Sequence, residues 1–81
     1  MRKIVNYPVI ATAHKNIVTV SSPNIPGMHT EGKTSLSALV NAIDAIEIML
    51  EGEKAPDVMD VRDWQIKSNQ IILFVPVRVD A

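Results

Sequence analysis

Ser22-Pro23-Asn24-Ile25-Pro26-Gly27-Met28-His29-Thr30-Glu31-Gly32-Lys33-Thr34 lies between a β-like run and a helical one, and its reading decides the fold. Each proline fixes φ, removes an N–H donor and biases the residue before it towards extended backbone. Gly27 and Gly32 mark places where the chain needs φ > 0 or a close backbone approach. The segment is therefore a shaped connection, stiff at its start and turning at its end. The residues before it read as a hairpin, and those after it as a helix and a returning strand.

Upstream, Lys3 to Ala13 alternates with period two. Val5, Tyr7, Val9, Ala11 and Ala13 point one way, and Ile4, Asn6, Pro8, Ile10 and Thr12 the other, as in a strand with one mostly apolar face. Pro8 has no N–H, so its ladder position must be unpaired, bulged or beside a gap. His14-Lys15-Asn16 is a polar break of hairpin-turn length. Ile17 to Ser22 is a second β-rich run, which pairs with the first as an antiparallel hairpin.

Downstream, Met28 to Lys33 reads as a short third strand, and Thr34 as a helix N-cap. A capping box would want Glu or Gln at position 37; the residue there is Ser37, so the box reads as incomplete. From Ser35 to Glu51, Leu36, Leu39, Val40, Ile43, Ile46 and Leu50 recur at helical spacing, widened by Ala42 and Met49. Gly52 is the expected stop. Ile48 falls on the polar face among Ser37, Asn41 and Asp44, as a lone exposed apolar residue or a contact with another chain. Glu47 falls at the edge of the stripe, where its carboxylate can snorkel to the rim.

Glu53 to Asp63 is polar, contains Pro56 and reads as a loop, with Trp64-Gln65-Ile66 opening a short extended piece. Trp64 reads as a core anchor or an interface residue. Ile71 to Val79 is the clearest strand: Ile71, Leu73, Val75, Val77 and Val79 share one face, Ile72 and Phe74 the other. Pro76 places that strand at a sheet edge or beside a bulge.

These elements fit one domain over residues 1–81, of α+β class, in the order strand, strand, strand, helix, strand. A meander sets the first three strands side by side. A right-handed crossover through the helix would put the fourth beside the first and parallel to it, giving sheet order 3-2-1-4. One helix covers one face, which leaves Ile10, Ile72 and Phe74 on a partly open one. Ile72, Phe74 and Pro76 are the candidate oligomer interface, and a homo-oligomer, a dimer, or a dedicated protein partner is expected.

Composition excludes several classes. The net charge of −1 gives no bulk attraction for nucleic acid or anionic membrane. The chain has no cysteine, so disulfide and thiolate chemistry are out. No apolar run approaches the ~20 residues of a membrane helix, and no signal peptide follows Met1-Arg2-Lys3, so a soluble cytoplasmic protein is expected. No carboxylate lies in Lys3–Ala13, where a nuclease with a strand-borne metal site would need one, and Asp44 and Glu47 lack such a partner. His14 and His29 stand alone, without a second ligand at metal spacing. Accordingly no catalytic residue, metal or cofactor is assigned, and no enzyme activity is expected.

The stretch Pro23-Asn24-Ile25-Pro26-Gly27-Met28-His29-Thr30-Glu31-Gly32-Lys33-Thr34, then Leu36, Ala38-Leu39, Ala42 and Ala45-Ile46, resembles the signature of the HicB-like antitoxins. Tyr7-Pro8 and the closing strand to Asp80 are similar to that family as well. The resemblance implies a partial ribonuclease H-like fold and an antitoxin that binds and blocks a small HicA-type ribonuclease toxin. Asn24, Met28, Lys33 and Ser37 replace the family's usual Asp, Cys, Asp and Glu. Family members commonly carry a C-terminal DNA-binding segment; this sequence stops at Ala81, so direct nucleic-acid binding is not expected of it. Pro23, Asn24, Ile25, Pro26, Met28 and Ile48 are the candidate partner-binding residues, with Ile25 and Met28 as the apolar contacts of a loop offered to that partner. The competing reading is a self-assembling structural or regulatory domain without a toxin.

Overall fold

The computed structural model describes residues 2–80. Strand β1 (Arg2–Ala13) turns into β2 (Val18–Ser21), and the proline-glycine corner leads to β3 (His29–Gly32). Helix α1 (Ser35–Met49) comes next, and after a long connection β4 (Gln70–Asp80) closes the sheet. The sheet order is β3-β2-β1-β4, the α+β arrangement expected.

The direction of the last strand is not as expected: β4 runs antiparallel to β1, paired continuously from Arg2↔Asp80 to Thr12↔Gln70. The upper end of the sheet is the end where β1 finishes at Ala13; the helix descends from there, starting just after Gly32. Its C-terminal half reaches the lower part of β4, where the Glu47 carboxylate accepts the Arg78 N–H at 2.8 Å. A parallel β4 would have to start at that lower end. Instead the connection climbs back, pinned on the way by the Tyr7 hydroxyl donating to Pro56 O at 2.8 Å. It arrives at the upper end, where Asn69 O accepts the Ala13 N–H. The crossover thus traverses the sheet twice, and two traversals reverse the final strand.

Both strand prolines sit where the ladder needs no donor. In an antiparallel pair, backbone groups of alternate residues face alternate sides. The Arg78 N–H points away from β1, so with this unbroken register Ile72, Phe74 and Pro76 also face outward. On β1 the even-numbered residues face β2; Pro8 lies beyond the end of β2, and its carbonyl accepts the Ser22 hydroxyl at 2.6 Å.

The corner is built from tandem turns. Ile25 N–H bonds to Ser22 O and Met28 N–H to Ile25 O, with Pro23 and Pro26 each at the second position. Gly27 has φ +87°, the left-handed value a type II turn requires after proline. Gly32 meets the other demand: a Cβ there would collide with the Ala38 backbone nitrogen, so glycine lets the helix start against β3. Thr34 caps the helix, and the box is complete after all. The Ser37 N–H donates to the Thr34 hydroxyl while Ser37 Oγ accepts the Thr34 N–H, each at 3.1 Å. Serine is long enough to close the reciprocal pair that Glu or Gln usually makes.

The core lies between helix and sheet. Tyr7, Val9 and Ala11, with Val20, Val75, Val77 and Val79, meet Ala38, Ala42 and Ile46. The buried line of the helix is this alanine-centred row, flanked by Leu39, Ile43 and Leu50. Leu36 and Val40, expected in the stripe, are 74% and 47% exposed. Small alanines let the backbone settle close to the sheet, and that rotates Leu36 and Val40 outward. Trp64 is half-buried within the connection, and Trp64-Gln65-Ile66 form no strand.

Gly32→Ala should lower stability by about 1–3 kcal/mol through overpacking against backbone, read as a fall in the urea midpoint. Burial raises the pKa of Tyr7, and the Asp57 carboxylate adds to the rise. A raised folded-state pKa stabilises fully below the unfolded value of about 10 and is lost as pH climbs through the folded value. Tyr7→Phe should cost about 1 kcal/mol at neutral pH, for the lost hydrogen bond. It should also flatten the alkaline decline in stability, measured by urea titration above and below about pH 10.

Candidate protein-binding surface

The corner that carries the family-like motif is largely turned inward. Ile25 is 2% and Met28 1% exposed, so both are core residues rather than contacts offered outward. The reason is hydrophobic: each turn carries one apolar side chain, and the space under the lower half of the helix accepts both. Asn24 is buried as well. Its side-chain amide donates to Asp57 O at 3.0 Å, and its carbonyl oxygen accepts the Met59 N–H at 2.7 Å. Ser22 Oγ accepts the Asn24 N–H at 3.1 Å while donating to Pro8. Asn24 is therefore a latch between the corner and the ascending connection. An aspartate could accept from Met59 but could not donate to the Asp57 carbonyl, so asparagine fits this role. Pro23 and Pro26 remain exposed on the outside of the turns.

Ile48 stands apart, 71% exposed near the end of α1. It lines a shallow recess with Arg2, Asp44, Glu47 and Glu51. Three carboxylates from one helix face, offset by the single cation Arg2, surround an aliphatic side chain and leave the recess net acidic with an apolar centre. Its chemistry suits a basic protein surface carrying a hydrophobic projection. Among the described residues, no group of three or more His, Cys, Asp or Glu is arranged to hold a metal ion.

The outer rim of β4 is the other open surface. Ile72 and Phe74 direct both N–H and C=O away from β1, Pro76 has no N–H to offer, and Glu47 covers that of Arg78. Phe74 is 52% exposed on the face away from the helix, and Ile71 is exposed on the helix side. Ile72 is half-buried and Pro76 exposed. The exposed Leu36 and Val40 lie on the same side of the helix as Glu47, the side turned towards β4. Sequence reading missed this flank because periodicity gives a stripe's width but not its rotation. It also missed what Glu47 does, although a carboxylate at the edge of an apolar stripe was the available signal.

No protein-family model and no curated protein matches the chain.

Asn24→Ala should destabilise by about 2–3 kcal/mol, since it leaves the Asp57 carbonyl and the Met59 N–H without their partner. The connection should loosen first. Limited proteolysis between residues 53 and 69 should accelerate before the remaining core becomes susceptible.

Proposed function

We propose that this chain is a non-enzymatic protein-binding module, a diverged HicB-like antitoxin whose partner is a small, basic HicA-type ribonuclease toxin. The observation that carries the reading is the Pro-x-Ile-Pro-Gly corner leading into Gly32-Lys33-Thr34. It belongs to a strand-strand-strand-helix-strand chain with sheet order 3-2-1-4. That combination of motif and topology is what the HicB resemblance implies. The partner surface in this reading is the helix end around Ile48, with the exposed Pro23 and Pro26 as secondary contacts. Ile25, Met28 and Asn24 serve the module by shaping the corner from within. Ile48 supplies the apolar anchor, and Asp44, Glu47 and Glu51 steer a basic partner towards it.

A second reading, self-association without a toxin, is favoured by one feature: the unpaired rim at Ile72 and Phe74 beside exposed apolar side chains. The two readings use different surfaces and are compatible.

Co-expression with a short reading frame adjacent to this gene tests the first reading. A HicA-like neighbour should arrest growth alone and be relieved by this chain, and the two should co-purify. Ile48→Lys should weaken that complex by about 30-fold or more, as loss of a central anchor does, without lowering the thermal midpoint. A neighbour that binds without regard to Ile48, or growth arrest that persists, would overturn it.

A further inference from the structure

We infer that two copies of this chain join through β4, antiparallel about a two-fold axis at Leu73, to make one continuous eight-stranded sheet. The inference deepens the self-association reading and rests on it. Two features single out a second copy as the occupant of this rim and set its register.

The first is hydrogen-bonding capacity. Among the described residues, Ile72 and Phe74 carry outward N–H and C=O groups with no partner, whereas Pro76 lacks a donor and Arg78 gives its own to Glu47. Above them, the Gln70 N–H is committed to Lys67 O. Setting Ile72 opposite the partner's Phe74, and Phe74 opposite the partner's Ile72, matches the two fully free residues with each other. A shift of two residues in either direction would oppose one of them to Gln70 or to Pro76 and leave ladder positions half-made. The strand therefore presents a short, self-complementary edge, closed below by a proline and a carboxylate.

The second is apolar matching. In this register Ile72 lies against the partner's Phe74 on the face away from the helix, and this happens twice across the axis. On the helix side, exposed Ile71 falls opposite the partner's Val75, next to the flank formed by Leu36 and Val40.

The absence of native cysteine makes the register directly measurable. In this pairing the Cα atoms of Ile72 and the partner's Phe74 are about 5.5 Å apart, inside the disulfide range of about 4.4–6.8 Å. Two copies of Ile72 lie diagonally, at about 7–8 Å, outside that range. Ile72→Cys and Phe74→Cys proteins, mixed in reduced form and then oxidised, should give a mixed disulfide dimer in clear excess over either homodimer. Light scattering of the unmodified chain at micromolar concentration should give the mass of a dimer. Ile72→Pro removes one outward donor, as Pro76 already does in the same strand, and should give a folded monomer by circular dichroism and scattering. Phe74→Lys should do the same and decides the matter if the proline variant fails to fold. A monomeric unmodified chain would overturn self-association altogether. A dimer that survives both variants, or cross-links as homodimers instead, would leave self-association standing and overturn this interface.

Discussion

The buried amide of Asn24 holds together two segments that are far apart in the chain. The corner after β2 and the long ascent after α1 both carry backbone groups that no strand or helix satisfies. Asn24 meets one donor and one acceptor of the ascent, and Ser22 ties the corner to β1 through the Pro8 carbonyl. Unpaired buried polar groups are expensive, so this small network decides where the connection runs. The route of the connection in turn decides which end of the sheet β4 starts from. The antiparallel pairing of β1 and β4, the longest ladder in the molecule, is the result.

Glu47 plays a comparable part at the other end of the helix. A carboxylate that accepts a strand's outward N–H does two things at once. It anchors the helix over the lower half of β4, and it closes that half of the rim to other strands. Pro76 reinforces the closure two residues away. The part still open is a short upper section flanked by apolar side chains, distinct from the acidic recess around Ile48. The fold thus separates two surfaces of different chemistry, one hydrogen-bonding and apolar, the other acidic with an apolar centre.

Much of this could be read from the residues. The alternation of Lys3–Ala13 and Ile71–Val79, the turn signals at Pro23 and Pro26-Gly27, and the cap at Thr34 each act over a few residues, so local chemistry reports them. Order 3-2-1-4 came from meander geometry and a right-handed crossover that took β4 as parallel to β1, with the edge position of Pro76 in agreement. The direction of β4 did not, because the climb of residues 50–69 is set by long-range bonds from Asn24 and Tyr7 that have no local signature. The rotation of α1 was hidden for a related reason: Ala38 and Ala42 look ordinary in a hydropathy pattern, yet their small size lets the backbone dock closely. Ile25 and Met28 read as offered contacts because a proline-bounded loop looks exposed. Their burial depends on a space beneath the helix that exists only once the sheet is formed.

The two rims of the sheet are unlike. One is a strand of eleven residues, the other a strand of four, His29–Gly32, that carries Glu31. Open-ended fibril growth along a sheet needs a rim on each side that can template the next molecule. Here only one side has the length to do so, and its lower part is already blocked. Among the described residues, stacking that starts on that side uses up the long rim of both participants, so the geometry favours finite, closed assemblies over filaments.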